Sequence, residues 1–398
     1  MQPLEICPDI FWIGANDRTT DLFEGLWPII EEGVSYNSYL IKDEKNVVID
    51  LTKEFLSSDI LDKVHELITL EKLDFVVINH MEPDHSGAIK TLIRLVPDVK
   101  ILGTKKTAKF LDTFFGIKEN VIIVEDGETL NLGKHTLKFI YTPNVHWPET
   151  MMTYELVTET LFSCDAFGGY GALRGSIFED QYNDLDFYIK ESLRYYVNII
   201  SMYNKPVLKA IEKLAQTNIS MVAPSHGLIW RTKPETIVKL YKKWAEYGGQ
   251  PGENGVTLVY GSMYGSTEKM MNAVAQGVAS QNIPLNIFDV TKTHESYIMP
   301  SIWVNKGVLI GAPTYESSLF PPMANFLNMI SMKRMKNKNA ARFGSYGWFG
   351  GAQKHFESLI APLNWDLMET LEFVGSPTND DLKNGEKFGQ DFARFITE

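Results

Sequence analysis

The segment His80-Met81-Glu82-Pro83-Asp84-His85 places two imidazoles and two carboxylates within six residues. Three more residues of the same chemical types, His146, Asp165 and His226, follow short apolar stretches downstream. Imidazole nitrogens and carboxylate oxygens bind divalent metals, and such groups are costly to bury unless a partner compensates them. Seven candidate ligands are enough for two ions, so the sequence predicts a binuclear metal site.

Each candidate ligand follows a predicted strand. Residues 74–79 form an apolar run that ends at His80, and alternation predicts that His80, Glu82 and Asp84 point the same way. The next helix is predicted to open at Ser86-Gly87. The later ligands come after strands predicted at 137–141, 161–163 and 221–224. Several strand ends are therefore expected to meet at one rim of a sheet.

The two parts of the chain differ in pattern. Residues 1–250 mix short strands, such as 36–41 and 46–50, with amphipathic helices such as the one near 55–70. Glycine, proline and polar residues are concentrated at 247–255, which predicts a linker and a second domain at 251–398. In that domain strands alternate with helix-length stretches, which predicts a doubly wound parallel sheet. Its five strands are predicted at 256–260, 285–290, 307–311, 341–345 and 371–374.

A glycine-containing loop, Gly261 to Glu268, joins the first of these strands to a helical stretch at 269–280. Such a loop offers backbone N–H groups, hydroxyls and a helix N-terminus to a phosphate. It lacks the Gly-Lys-Ser/Thr ending of a P-loop and the spacing of a dinucleotide-binding fingerprint. The sequence predicts a phosphate site that uses no lysine.

The pattern H-x-E-x-D-H, followed by His146, Asp165 and His226, resembles the metallo-β-lactamase-type domain of the flavodiiron proteins. This resemblance implies two irons, with Asp165 as the bridge between them. It assigns His80, Glu82 and His146 to one iron, and Asp84, His85 and His226 to the other. Hydrolases of the same superfamily carry H-x-H-x-D-H and usually bind zinc, whereas Glu82 makes this set richer in oxygen and favours iron or manganese.

The glycine loop resembles the flavodoxin phosphate loop T/S-x-T-G-x-T, with Tyr264 in place of the middle hydroxyl residue. The resemblance implies FMN, held also by the loops after the third and fourth strands. Trp348 or Tyr346 is expected to cover a face of the flavin ring. The predicted FMN contacts are Ser262, Met263, Tyr264, Gly265, Ser266, Thr267, Pro313, Thr314, Tyr315, Tyr346, Gly347, Trp348, Phe349 and Gly350.

The order of the two domains is also that of flavodiiron proteins and covers nearly the whole chain. It implies an α/β plus α+β fold: an N-terminal metallo-β-lactamase-like αββα sandwich followed by a flavodoxin-like, doubly wound five-stranded parallel sheet. The implied activity is reduction of dioxygen to water, of nitric oxide to nitrous oxide, or both, with FMN relaying electrons. Tyr195, Tyr196 and Glu24 are expected beside the metals. Glu24 stands where some relatives carry histidine, which leaves the choice between the two gases open.

Composition and the resemblance together suggest the partners. No rubredoxin-like module with two C-x-x-C pairs is present, so electrons are expected from rubredoxin or a similar small donor, and a head-to-tail homodimer or a tetramer is expected. The net charge of -12, without a basic cluster, argues against nucleic acid. No apolar run is long enough for a membrane span, and the widely spaced Cys7 and Cys164 suggest a reducing cytoplasm.

Two other functions remain open at this point. One is a binuclear zinc hydrolase with a flavodoxin-like appendage, which Glu82 and the glycine loop disfavour. The other is an electron carrier in which only the flavodoxin-like half works. The remaining histidines are interpreted as structural or surface residues: His65, His135, His294 and His355.

Overall fold

The computed structural model describes residues 2–397. The chain divides into two compact units, one up to Lys243 and one from Trp244 onward. The division lies near the C-terminal end of a helix, a few residues before the glycine- and proline-rich segment in which the sequence predicts the linker. No helix among residues 2–397 is long and apolar enough to cross a membrane.

The first unit contains two large sheets. Seven strands form one sheet in the order β1-β2-β7-β8-β9-β10-β11, and five form the other in the order β12-β13-β14-β15-β16. Two ribbons, β3 with β6 and β4 with β5, complete the described strands. The strands are β1 Leu4–Cys7, β2 Ile10–Trp12, β3 Ala15–Asp17, β4 Leu22–Phe23, β5 Trp27–Pro28, β6 Val34–Tyr36, β7 Tyr39–Ile41, β8 Asn46–Ile49, β9 Leu73–Val77, β10 Lys100–Gly103, β11 Val121–Ile123, β12 Thr129–Asn131, β13 Thr136–Tyr141, β14 Met151–Glu155, β15 Thr160–Cys164 and β16 Met221–Pro224.

Helices cover the sheets because the strands present apolar side chains on both faces. Val48 and Val76 pack with Ile60 of the first helix in one buried cluster, while Tyr39 of one sheet contacts Phe162 of the other, with ring centroids 5.0 Å apart. The αββα prediction is thereby confirmed. The helices are α1 Ser57–Leu67, α2 Pro83–Ser86, α3 Ile89–Leu95, α4 Lys105–Phe110, α5 Leu185–Tyr195, α6 Asn204–Leu214 and α7 Pro234–Glu246.

Local boundaries differ from the prediction in two elements outside the loop that follows β9. The strand predicted at 36–41 is two strands, because the chain leaves the ribbon at Tyr36 and enters the large sheet at Tyr39. The helix predicted near 55–70 is shorter, with single 3-10 turns at Glu54–Leu56 and Leu70–Lys72 on either side.

Strand direction explains how distant residues meet. Strand β14 is antiparallel to both β13 and β15, and β15 is parallel to β16. The C-terminal ends of β13, β15 and β16 therefore lie at the same edge of their sheet. Strand β9 belongs to the other sheet, and its C-terminal loop is tied to this edge by a hydrogen bond from Met151 N to Asn79 O of 3.0 Å.

The second unit is a parallel sheet with helices on its faces, which confirms the flavodoxin-like prediction. The sheet has six strands rather than five, because the fifth position is shared by two short strands, β23 and β24, that both pair with β22. The strands are β17 Glu253–Tyr260, β18 Leu285–Asp289, β19 Asn305–Gly311, β22 Asn339–Tyr346, β23 Asp366–Leu367 and β24 Leu371–Val374, and the hairpin is β20 Thr314–Tyr315 and β21 Ser318–Leu319. The helices are α8 Ser266–Ala279, α9 Glu295–Val304, α10 Pro321–Met332, α11 Ala352–Ile360 and α12 Asn379–Phe395.

The strand order β18-β17-β19-β22 reverses direction between β17 and β19. In open parallel sheets a ligand binds outside the carboxyl ends of the strands at such a reversal. The glycine loop follows β17 and the segment 312–313 follows β19, so the predicted cofactor loops lie at this point.

Candidate metal centre and phosphate-loop cleft

The loop after β9 turns sharply instead of continuing as an alternating strand. Pro83 begins the short helix α2, and His85 N donates to Glu82 O at 2.9 Å. The Ser86 hydroxyl donates to Met81 O at 2.9 Å. The predicted alternation of side chains and the predicted helix start at Ser86 are therefore wrong, since a proline at the first helical position favours an earlier start.

One group of side chains surrounds Glu82. Its Oε2 lies 3.2 Å from His80 Nε2 and 3.1 Å from His146 Nε2. Both of these nitrogens are also 3.4 Å from Asp165 Oδ2. His80, Glu82, His146 and Asp165 thus direct four ligand atoms at one small volume.

A second group lies on the other side of Asp165. Asp165 Oδ1 is 3.0 Å from His85 Nε2 and 3.4 Å from His226 Nε2. Asp84 completes the group, with Oδ1 3.4 Å from His85 Nε2 and Oδ2 3.4 Å from His226 Nε2. Each oxygen of Asp165 therefore faces a different group, and the structure brings all seven predicted ligands together.

The donor set fits two metal ions better than it fits a hydrogen-bonded network. Four buried atoms have no partner in hydrogen-bonding geometry among residues 2–397: Asp84 Oδ1, His85 Nε2, Asp165 Oδ2 and His226 Nε2. Metal–ligand bonds of about 2.1 Å place neighbouring ligand atoms roughly 3.0 to 3.4 Å apart, and the separations between side chains here fall in this range. Buried polar atoms are otherwise paired, so these atoms are arranged for a partner that they share.

The second unit contains a cleft at the reversal of strand order. Its volume is about 570 Å³, within the usual range for ligand sites. Trp348 and Phe349 lie at its rim and are 84% and 69% exposed. Exposed aromatic rings in this position suit stacking on a planar ligand. Its lining comprises Met263, Tyr264, Thr314, Tyr315, Glu316, Ser317, Gly347, Trp348 and Phe349.

Seven of these lining residues belong to the predicted FMN contacts, and Glu316 and Ser317 of the β20–β21 turn were missed. Both have positive φ, and the pattern Glu-Ser carries none of the glycine or asparagine that signals such a turn. Pro313 and Gly350 flank the lined segments. Tyr346 ends strand β22, and the aromatic residues of the following loop that line the cleft are Trp348 and Phe349.

The phosphate loop is held by its own side chains. Gly265 precedes helix α8 with φ of 87°, and its N–H donates to Ser262 Oγ at 3.0 Å. Thr267 lies in the first turn of the helix, and its hydroxyl oxygen is 3.4 Å from the hydroxyl oxygen of Ser345 in β22. Ser266 begins the helix. Helix N-terminal amides beside hydroxyls suit a phosphate, so the residues present fit the phosphate of FMN.

Comparison with known proteins agrees with this geometry. The model of the ODP family beta lactamase matches residues 34–227, and the flavodoxin model matches residues 258–389. The anaerobic nitric oxide reductase flavorubredoxin of Escherichia coli strain K12 is 33% identical over 392 residues, which are 97% of this chain and 81% of that protein. The chain belongs to the flavodiiron protein family.

Solved structures of flavodiiron proteins extend the match to the whole fold. The rubredoxin oxygen:oxidoreductase from Desulfovibrio gigas has a TM-score of 0.93 at 31% identity and covers 100% of this chain and 99% of its own. The flavodiiron protein of Giardia intestinalis has a TM-score of 0.93 at 29% identity, with 100% and 97% covered. The nitric oxide reductase of Moorella thermoacetica is 32% identical over the full length of both chains.

Charge at this flavodiiron site is set by mutual pairing. Burial would lower the pKa of the imidazoles, but Asp165 and Glu82 raise the pKa of His146 to about 9, and Asp165 and Asp84 raise the pKa of His226 to about 10. Burial would raise the pKa of Asp165, but His85 and the other imidazoles hold it well below its usual range. Without metal the imidazoles therefore hold protons, which metal must displace.

Two buried carboxylates that the sequence did not single out position the ligands. Glu149 Oε1 lies 2.7 Å from His80 Nδ1 and accepts from Met81 N at 3.0 Å. Asp50 accepts from Asn79 N at 2.8 Å, beside His80. Both residues are distant in sequence from the motif. The only available signal was that Glu149 follows His146 by three residues.

The three residues expected beside the metals have different positions. Tyr195 is buried and donates to Asp165 Oδ1 at 3.0 Å. Tyr196 points into a neighbouring tyrosine layer, where its ring centroid is 5.2 Å from that of Tyr241. Glu24 is exposed and accepts from Trp27 Nε1 at 3.1 Å. Of the three, Tyr195 contacts a candidate ligand directly.

Neighbouring rings and carbonyls fix the imidazoles further. His226 Nδ1 donates to Ser35 O at 2.8 Å, which directs Nε2 at the cluster. Trp147 packs edge-on against His80, with ring centroids 5.0 Å apart. The four histidines interpreted as structural lie outside every described cluster that could hold a metal. For example, His135 pairs with Glu155 at 3.3 Å.

Proposed function

We propose that this protein reduces dioxygen to water, nitric oxide to nitrous oxide, or both, at a pair of irons, with FMN relaying electrons to them. The names of its relatives support both substrates, since they include nitric oxide reductases and a rubredoxin oxygen:oxidoreductase. The observation that carries the proposal is the position of Asp165, whose two oxygens face two separate ligand groups.

The seven side chains would hold the irons as the resemblance assigns them. Two irons held in this way would supply electrons and Lewis acidity to a diatomic substrate. The chain's own residues hold the site in shape: Glu149 orients His80, and the Ser35 carbonyl orients His226. The Tyr195 hydroxyl holds a proton against Asp165 Oδ1, where it can donate to a developing negative charge. Phe23 packs on His226 at 5.6 Å and excludes water from that side.

The second unit would hold FMN with its phosphate on the loop 262–267 and its ring in the 570 Å³ cleft. Ser262 and Gly265 shape the loop so that the amides at the start of α8 face the phosphate. Trp348 would cover the ring, and the fourteen predicted contacts stand as proposed contacts.

The remaining partners are proposals that rest on the family. Rubredoxin or a similar small protein would supply electrons, since rubredoxin appears in the name of the Desulfovibrio protein. We propose a head-to-tail homodimer that brings the flavin of one protomer to the metals of its partner, and light scattering would separate dimer from tetramer. Both Cys7 and Cys164 are free, which suits the reducing cytoplasm.

The decisive experiment compares the protein with its His146→Asn variant. Anaerobically reduced, iron-loaded protein receives dioxygen and nitric oxide in turn with a rubredoxin supply, and consumption of each gas is recorded. We expect turnover in the parent protein and its loss in the variant, with FMN content unchanged. An unchanged variant would favour the electron-carrier function instead.

A binuclear zinc hydrolase is the less favoured alternative. Glu82 replaces the second histidine of the hydrolase pattern, and its Oε2 lies beside both His80 and His146. Metal analysis of protein grown without added metal tests this directly. Stoichiometric zinc together with esterase turnover would overturn the diiron proposal.

A further inference from the structure

A buried cation of the second unit bonds to the segment that leads from β19 into the cleft. Arg342 is on strand β22 and is fully buried. Its Nη2 donates to Ala312 O at 3.1 Å, at the end of β19 and next to Pro313. Its Nη1 donates to Glu372 Oε1 of β24 at 2.8 Å. One guanidinium thus joins the segment after β19 to the neighbouring strand.

The same guanidinium also reaches the helix that follows the aromatic loop. Arg342 Nη1 donates to Gln353 Oε1 at 3.4 Å, in the first turn of α11. That helix begins after Gly351, where an added Cβ would lie 2.3 Å from Ser317 O of the β20–β21 turn. Arg342 therefore bonds to the residue that precedes one lining segment of the cleft and to the helix that follows another.

The arrangement is poorly explained by stability alone. Buried ion pairs usually recover little more than the cost of removing their charges from water. Arg342 Nε, moreover, is buried and has no hydrogen-bond partner in the described part of the chain, which adds a further cost. Gly344 is also constrained, since an added Cβ would lie 1.9 Å from Ala312 O and 3.0 Å from Arg342 Nη2. An apolar side chain at position 342 would avoid these costs.

The charges of the pair are unequally screened. Arg342 is fully buried, whereas the side chain of Glu372 is 30% exposed and partly solvated. Water screens the carboxylate more than the guanidinium, so this pair contributes a net positive potential to its surroundings. A positive field favours any ligand state that gains negative charge. Addition of the second electron to a bound flavin increases its negative charge when no proton is taken up with the electron.

We propose that the Arg342–Glu372 pair sets the reduction potential of the flavin. Arg342 is a positioning residue that favours addition of the second electron, and Glu372 disfavours this addition. This inference rests on the proposed FMN site. It predicts opposite effects for the two members of the pair, which a purely structural role would not produce.

The test uses the full-length, FMN-loaded protein and its variants Arg342→Met and Glu372→Gln. Stepwise anaerobic reduction with dithionite, followed by flavin absorbance, gives the two one-electron potentials, and fluorescence quenching gives the FMN dissociation constant. Arg394→Met is the control, because Arg394 is an exposed cation of the same unit that pairs with Asp391 at 3.0 Å. Arg342→Lys retains the charge without the fork of donors.

We expect Arg342→Met to lower the equilibrium for the second electron about tenfold, equivalent to about 59 mV for a one-electron couple. Glu372→Gln should raise the same equilibrium, Arg342→Lys should largely restore it, and Arg394→Met should leave it unchanged. Shifts of the same sign in Arg342→Met and Glu372→Gln, or weaker FMN binding with unaltered potentials, would overturn the inference. If Arg342→Met fails to fold, the potentials of Glu372→Gln still test the inference, because that variant keeps Arg342. Failure of the parent protein to bind FMN would instead refute the proposed function.

Discussion

Replacing Glu149 with glutamine isolates the contribution of its charge to the metal centre. Glu149 is fully buried, and its Oε1 is shared by His80 Nδ1 at 2.7 Å and Met81 N at 3.0 Å. Glutamine keeps the length of the side chain and an oxygen that can accept both hydrogen bonds. The variant therefore retains the fold of the loop but loses the negative charge that makes His80 a stronger ligand.

The effect should be confined to one metal position. Outer hydrogen-bond partners of metal-binding histidines typically contribute about 10- to 100-fold in metal affinity, or roughly 1.4 to 2.8 kcal/mol. We expect a loss of this size for the ion bound by His80, Glu82 and His146. The ion bound by Asp84, His85 and His226 should be retained, because Glu149 contacts none of these side chains in the described structure.

Iron binding would be measured anaerobically by competition with a chromogenic chelator, and Mössbauer spectra would distinguish the two positions. Glu155→Gln is the matched control, because Glu155 is equally buried and pairs with a histidine, His135, at 3.3 Å away from the ligands. Equal loss at both positions, or an affinity within about twofold of the parent protein, would refute the role assigned to Glu149.

Three further predictions each concern a single residue. Tyr195→Phe removes the hydrogen bond to Asp165 and should lower turnover about tenfold with iron content unchanged; Tyr154→Phe is the control, and unchanged turnover would refute the proton role. Gly265→Ala meets no atoms but forces a Cβ into φ of 87°, so FMN affinity measured by fluorescence should fall about fivefold to tenfold, and full affinity would argue against this loop conformation. Burial lowers the pKa of Lys338 to about 7, so the unfolded chain binds more protons between about pH 7 and 10 and the free energy of unfolding should rise with pH there. Urea denaturation of Lys338→Met should lack this rise, and a parallel pH dependence in the variant would contradict the assignment.

The fold and the ligand cluster were predictable because both leave local signals. Buried parallel strands are recognisable in the sequence as apolar runs, and the six-residue motif with His80 and Asp84 follows one of these runs. The prediction for the turn at Pro83 is wrong because strand alternation does not continue past this proline, which favours the first position of a helix. The split fifth strand was missed because Asp366–Leu367 is too short to show a pattern.

Contacts between distant segments could not be predicted in the same way. Glu149 and Asp50 are single acidic residues with no periodic context, and only the assembled sheets show that each supports the loop carrying His80. Arg342 presents the same difficulty, since a lone arginine in a predicted strand suggests an edge or a solvated face. Its complete burial depends on Ala312, Gln353 and Glu372, which come from three other elements.

Charge explains why these supporting residues occur where they do. Glu82, Asp84 and Asp165 carry three negative charges as ligands, and two divalent irons carry four positive charges. The excess positive charge is buried, so an anion nearby lowers the desolvation cost. Glu149, buried and bonded to a ligand, supplies it without occupying a coordination position. In a hydrolase-type site the position of Glu82 holds neutral histidine, so this balance would be different, and the present arrangement of carboxylates is tied to the pair of irons proposed here.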